Sequence, residues 1–245
     1  MNLHDDITVV IPTSPIPSCP TTTLIEQTIN SIRVHLPDVD ILIQADGVRP
    51  EQEKFREPYR LYIERLENIC SDPDNNITMI EFEEFHHQAA MMKRSIGEIG
   101  TPFLFYVEHD LPLLPDPIDF VGMVRLLRSG ALNQIRLHYW SQILDDHKYL
   151  MLDEKPLLMD GVPIVRTVQW SQHPHVARVD FYQRLMDAFS PNCRTMIETK
   201  VYGLVQSARW DDYRCGIYAP EPNLRRIYHT HGREEEPKWE ENFTF

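Results

Sequence analysis

Four short apolar runs, each set between segments with helical spacing, constrain this chain more than any other feature. Ile7-Thr-Val-Val-Ile11 is β-branched and closed by Pro12, and Val39-Asp-Ile-Leu-Ile43 leads into Ala45-Asp46-Gly47. Residues 77–82 and 103–107 are the third and fourth runs. Runs of this length bounded by turn residues read as buried strands. Between them, residues 21–36 carry Leu24, Ile25, Ile29, Ile32 and Leu36 on one helical face behind threonines that can cap it, and residues 59–69 and 86–99 read as two further helices. The alternation predicts an α/β fold: a mostly parallel, doubly wound sheet flanked by helices, in a single domain. Such a sheet offers ligands the loops at the carboxyl ends of its strands. Three of those ends are polar here: Pro12-Thr13-Ser14, Ala45-Asp46-Gly47 and Glu108-His109-Asp110.

The last of these matters most. In FLFYVEHDLPLLPD, residues 103–116, an apolar run drives into two carboxylates spaced one residue apart and then breaks on prolines. Desolvating a carboxylate without a partner is costly, so paired acids at a strand end belong at the wall of a cleft. Alternate residues of an extended chain point the same way, so Glu108 and Asp110 can grip one cation together.

Composition excludes several classes. A chain of 245 residues with net charge -13 is poorly suited to coating nucleic acid or an anionic membrane. The window from Arg194 to Arg233 runs against that trend, with seven Lys or Arg to four acids, a net of +3. It is where an anion is expected to sit. Cys19, Cys70, Cys193 and Cys215 are scattered, with no zinc-ligand spacing and no disulfide framework, which fits a reducing cytoplasm. The first residues, MNLHDD, are acidic, and the longest apolar run is too short to span a bilayer, so neither a secretory leader nor a membrane anchor is expected. There is no GxGxxG after the first run and no GxxxxGK[ST], which disfavours an ordinary dinucleotide site and a P-loop.

The order of motifs resembles the GT-A fold of nucleotide-sugar glycosyltransferases, most closely family 2. The resemblance is carried by ITVVIPTSP, the Asp-bearing QADG, the helix with Lys93 and Arg94, the EHD strand end, VARVDFYQRLMDAF, MIETKVYGLVQSARWDDYRCGIYAP and RIYHTHGR. It covers the chain from about Ile7 to Gly232. It implies one domain over residues 1–233, with a nucleotide-sugar half at about 7–116, an acceptor half at about 117–233, and an acidic tail at 234–245. Where that family usually has Asp-x-Asp this chain has Glu108-His109-Asp110, and where it usually has Glu-Asp this chain has Glu198-Thr199. A narrower resemblance, carried by VQWSQHPHVARVDFY with EHD, is to the TET-associated glycosyltransferases of phages. That group is linked to 5-hydroxymethylcytosine in DNA, which would place the protein in the cytoplasm of an infected host.

These resemblances imply a metal-dependent transfer of sugar from a UDP-sugar, with Mn2+ or Mg2+, to an acceptor hydroxyl. Asp110, Glu108, His229 and His231 would serve the metal, and Glu198 would be the catalytic base. Pro12, Thr13, Ser14, Asp46, Lys93, Glu108, His109 and Trp170 would bind the donor. Gln172, His173, His175, Arg209, Arg225 and Arg226 would meet the acceptor, led by hydroxymethylated DNA. Trp140, Trp170, Trp210 and Tyr139 are the candidates for stacking on a sugar or a base. Alternatives are a saccharide or small-molecule acceptor, a nucleotidyltransferase, and a non-catalytic sugar- or nucleic-acid-binding module. The loop TSPIPSCPTT lacks the glycine and basic residues that nucleotidyl transfer favours. A binding module would leave Glu108, Asp110 and Glu198 without a purpose.

Overall fold

The computed structural model describes residues 3–230. Its first half alternates as the spacing predicts: β1 (Ile7–Thr13), α1 (Thr23–His35), β2 (Asp40–Ala45), α2 (Arg56–Cys70), β3 (Ile77–Glu81), α3 (His87–Ser95) and β4 (Phe103–Tyr106). There follow α4 (Phe120–Arg128), β5 (Gln134–Arg136), β6 (Leu157–Met159), β7 (Val162–Thr167), β8 (His175–Arg178), α5 (Val179–Asp187), α6 (Ile197–Ser207), α7 (Trp210–Tyr213) and β9 (Cys215–Tyr218). The strands form one sheet in the order β3-β2-β1-β4-β8-β5-β9-β7-β6. Strands β1 to β4 are mutually parallel, and only β8 and β7 run against the common direction.

Burial on both faces explains the continuous apolar runs. In β1, Ile7, Val9 and Ile11 enter the layer shared with α1, α2 and α4, while Val10 enters the opposite layer with α3, α5 and α6. β4 repeats the pattern, with Phe103, Phe105 and Val107 on the first side and Leu104 and Tyr106 on the second. Each fully buried large apolar side chain contributes about 1.5–3 kcal/mol relative to exposure, so these central strands dominate the stability. The exposed ion pairs of Arg60 with Glu57 and Glu64 along α2 add little.

Pro12 does not close β1. The strand continues to Thr13, because β4 pairs with β1 only as far as Val10 and leaves no ladder bond for the proline ring to disrupt. The carbonyl of Pro12 accepts instead from His109 Nδ1 at 3.2 Å, which ties the β1 end to the EHD loop.

Gly47 shows how tightly the loop after β2 is packed. A Cβ there would lie 2.3 Å from the carbonyl carbon of Glu84 and 2.6 Å from Phe85 N, both backbone atoms. Gly47→Ala should therefore lower the unfolding free energy by at least about 2 kcal/mol, read from urea denaturation. An unchanged midpoint would show that the loop can move away.

Candidate active site

The carboxyl end of β4 is fastened to β1 by the Val107 N–H, which donates to the Val10 carbonyl at 3.0 Å. Beyond it, residues 224–230 lie back across 110–114. Leu114 N donates to Arg226 O at 2.8 Å, Tyr228 N to Pro112 O at 3.1 Å, and Thr230 N to Asp110 O at 2.9 Å. This pairing carries His229 Nε2 to 3.3 Å from Asp110 Oδ2. On the other side, Gln88 at the start of α3 donates its Nε2 to Glu108 Oε1 at 2.6 Å. Glu198 stands in the first turn of α6, where the helix dipole favours an acid, and its Oε2 accepts the backbone N–H of Gln172 at 3.1 Å.

Of these residues, Glu108, Gln172, Glu198 and His229 line one cavity of about 430 Å3. Glu108, Glu198, His173 and His229 form its polar wall, and Leu111, Tyr139, Trp140 and Met196 its apolar one. A larger cleft of about 860 Å3 opens by Thr8, Asp40 and Thr101, at the amino ends of the strands, and contains none of the predicted site residues. Glu108, Gln172, His173, Glu198 and His229 of the predicted site line the smaller cavity instead.

Burial is the first cause that pushes the Glu108 carboxyl up, to about 7, and the nearby Asp110 and Glu198 charges add to it against the opposing Gln88 bond and His229. Burial also pushes Asp110 up, but the bond from His229 and the charges of His109 and His229 outweigh it and hold the carboxyl below its usual value. Among the described residues, no three His, Cys, Asp or Glu side chains converge closely enough to hold a metal unaided. The arrangement fits a cation that takes one or two protein carboxylates and completes its shell from substrate phosphates.

Arg136 is the residue that sequence reasoning missed. It is 3% exposed in β5, directly across from His175 of β8. Its Nη2 donates to Gln169 Oε1 at 2.9 Å, and no ion pair within 4 Å is made to it among the described residues. Burial lowers its pKa to about 10 while the charge of Glu198 opposes the shift, so it stays cationic at neutral pH. The visible signal was an arginine inside the apolar run of QIRLHYW. Burial, followed by the charge of Arg136, drives His138 and His173 down to about 4 and about 3. His175 falls to about 4 for the same reasons, with the bond to the His173 carbonyl opposing.

Several predicted residues sit elsewhere or do other work. Trp170 is wholly buried, and so is His175, stacked between Tyr106 at 5.3 Å and Tyr182 at 5.6 Å. The run 170–175, expected to be poor core material, is core at both ends because that aromatic box accepts a neutral imidazole, and only Ser171, Gln172 and His173 reach the cavity. Lys93 donates to the carbonyls of Met186 and Phe189 at 2.9 and 2.7 Å, so it caps α5 rather than facing a phosphate. Arg226 is 7% exposed and spends its donors on the carbonyls of Pro117, Asn223 and Arg225. Arg209 follows the far end of α6, beyond about 14 Å of helix from Glu198 to Ser207. Arg225 lies nearer, with its guanidinium 5.2 Å from the ring centre of cavity-lining Tyr139. The basic window is thus dispersed.

The other donor-side residues surround the β1 and β2 ends. The Thr13 hydroxyl lies 2.9 Å from that of Tyr62, and half-buried Ser14 follows it. Asp46 is buried and accepts the backbone N–H groups of Gly47, His86 and His87 at 2.9, 2.7 and 2.9 Å. Burial pushes its carboxyl up against those bonds. In this structure it anchors the loop before α3, where His87 adopts a φ of 63°. His231 and the acidic tail lie outside the described residues.

No protein-family model matches the chain, and no curated protein sequence matches it. Solved structures do. GalNAc-T7 with UDP, GalNAc and Mn2+ superposes with a TM-score of 0.58 at 10% identity, over 95% of this chain and 45% of that one. TarS residues 1–349 from S. aureus give 0.57 at 11% identity, over 92% of this chain and 60% of that one. The mannosyltransferase PcManGT from Pyrobaculum calidifontis, with GDP-Man and Mn2+, gives 0.54 at 13%, over 89% and 58%. The chain therefore spans about half the length of these proteins and has the fold of GT-A glycosyltransferases. Among the described residues, no helix is long and apolar enough to cross a membrane.

The buried histidines make stability depend on pH. His138 and His175 titrate near 4 in the native state and near 6.5 when unfolded. Between those values the unfolded chain binds protons that the native one refuses. Stability is then complete above about pH 6.5 and falls towards pH 4, by up to about 1.4 kcal/mol per pH unit for each imidazole. In urea unfolding, His175→Phe should reduce that slope by about one proton. An unaltered slope would mean that His175 is protonated in the folded protein.

Proposed function

We propose that this protein is a glycosyltransferase that moves a sugar from a UDP-sugar to an acceptor hydroxyl, with the help of a divalent cation. The observation that carries the reading is that Glu108, just beyond the end of β4, shares one cavity with Glu198, while Asp110 two residues further on is paired with cavity-lining His229. Asp110, with Glu108 or His229 as a second ligand and donor phosphates completing the shell, would hold Mn2+ or Mg2+, which would neutralise the diphosphate as it leaves. Glu198 takes the proton of the acceptor hydroxyl as its oxygen attacks the sugar carbon. The bond from that carbon to the diphosphate breaks, and UDP departs with the electron pair. Gln172, through its backbone N–H, holds Glu198 in place for that step. Solved structures of the same fold contain UDP-GlcNAc, or UDP with GalNAc and Mn2+, which supports the choice of donor.

The acceptor we infer is 5-hydroxymethylcytosine in DNA. It rests on the resemblance of residues 168–182, with EHD, to the phage enzymes. The dispersal of Arg209 and Arg226 away from the cavity favours a second reading, a saccharide or small-molecule acceptor.

The test is UDP release from several UDP-sugars with Mn2+ or Mg2+, with and without hydroxymethylated DNA. Release that requires the modified DNA is the expected result, while release on glycosides alone would select the second reading. Asp110→Ala should abolish metal-dependent UDP binding. Glu198→Gln should bind UDP normally and lose at least about a hundredfold in kcat. Unchanged turnover would remove Glu198 from the mechanism.

A further inference from the structure

Arg136 is a cation enclosed in the middle of the sheet. β5 carries it between β8 and β9, and it is 3% exposed. Its Nη2 donates to Gln169 Oε1 at 2.9 Å, while its Nε is buried with no hydrogen-bond partner among the described residues. A guanidinium taken out of water without an ion pair is expensive, and an apolar side chain of similar volume is often as stable in its place. Folding alone therefore does not account for an arginine here.

Its contacts lead to Glu198. Gln169 belongs to the polar loop, residues 168–174, that joins β7 to β8. The backbone N–H of Gln169 donates to Thr167 Oγ1 at 2.9 Å, and the bond from Arg136 fixes its side chain. At the other end of the loop, Leu137 N donates to Pro174 O at 2.8 Å, and Arg136 itself pairs with His175 across the ladder. β5 thus grips the loop twice, by a side chain at residue 169 and by backbone at residues 174 and 175. Between those two holds, Gln172 bonds the buried Tyr106 and Tyr182 hydroxyls through its side chain. Its backbone N–H donates to Glu198 Oε2 at 3.1 Å. The leading charge acting on Arg136 is that of the same Glu198. Charges that face each other across protein, away from water, interact strongly.

We propose that Arg136 is a positioning residue for the base: through Gln169 it fixes the loop whose Gln172 N–H holds Glu198, and its positive charge keeps the Glu198 carboxylate in that seat. Arg136 does not line the cavity, so it touches neither donor nor acceptor. It acts only while Glu198 is there to be placed. The inference rests on the glycosyltransferase reading above, and it gives the buried charge in β5 a purpose that packing does not.

The experiment is a double-mutant cycle on UDP release from a UDP-sugar with Mn2+, run on hydroxymethylated DNA and on methyl glycosides. Its members are wild type, Arg136→Met, Glu198→Gln and the double variant, with Arg136→Lys as the conservative control. Arg136→Met should lower kcat about a hundredfold and leave KM for the UDP-sugar unchanged. Arg136→Lys, which keeps the charge and a donor for Gln169, should recover most of that loss. In the double variant, Arg136→Met should add nothing to the effect of Glu198→Gln, because residues that act as a unit are not additive. Losses that multiply would overturn the positioning role, and so would a KM that rises as kcat falls. Thermal melting reports folding: a lowered Tm with unchanged kcat per folded molecule would assign Arg136 to the fold alone and overturn the proposal too. Calorimetry of UDP with Mn2+ on the wild-type protein separates the two levels. No binding overturns the glycosyltransferase reading and the role of Arg136 with it, whereas normal binding confines any failure to Arg136.

Discussion

The desolvation of Glu108 is the constraint around which the site is arranged. β4 is buried on both faces and delivers this carboxyl to a cavity shared with Glu198, with the charge of Asp110 close by. Like charges in a partly water-excluded space repel strongly, and the fold answers in two ways. Glu108 is pushed towards its neutral form, and residues 224–230 are laid back across the loop so that His229 stands beside Asp110. Neither response cancels the negative field. Among the described residues, no lysine or arginine lines the cavity, and the guanidinium of Arg136 is buried in the sheet. Under the proposed function, a divalent cation bound with the donor diphosphate would supply the missing positive charge, with phosphate oxygens as its remaining ligands.

Packing in the opposite layer places the other carboxylate. β8 enters the sheet antiparallel between β4 and β5, and its first residue, His175, is stacked between Tyr106 and Tyr182. Trp170 closes the same box edge-on at 5.3 Å. Two buried anchors thus pin a short polar loop at both ends, and the Gln172 N–H in its middle reaches Glu198. The neutral state of His175 follows from the same arrangement, since a second cation beside Arg136 in the core would be uncompensated. Core aromatics and site geometry are one device.

Much of the first half was legible because its signals are local. β-branched runs, helical periodicity and the carboxylate pair after residue 107 each occupy a few consecutive positions, and the structure places β1 to β4 and α1 to α3 where those patterns lie. The failures share a physical cause, which is that polar residues were read by type and not by partner. Lys93 and Arg226 look like phosphate ligands until backbone carbonyls 93 and 109 positions away accept their hydrogen bonds. Trp170 and His175 look like loop residues until β4 and α5 are folded around them. Arg136 is the reverse case, a charge hidden in an apolar strand whose electrostatic partner Glu198 lies far along the chain. His229 was singled out through resemblance, but its approach to Asp110 depends on a chain reversal that no local pattern announces.

The same charge distribution limits how a DNA acceptor would be held. Affinity for a polyanion ordinarily comes from neutralised phosphates, and each one contributes to a steep loss of binding with salt. Here the net charge is -13, Arg226 is committed to backbone carbonyls, Arg209 is remote, and Arg225 is the one arginine of the basic window, among the described residues, placed against a cavity-lining ring. A duplex lying across this mouth would meet few cations. Binding energy would have to come from the base itself, through stacking and edge contacts inside the cavity, and these are nearly insensitive to ionic strength. A single nucleotide extended into the cavity satisfies that condition, whereas recognition along the phosphate backbone does not. Modified DNA as acceptor therefore implies a shallow salt dependence and a strong preference for unpaired or easily unstacked sites.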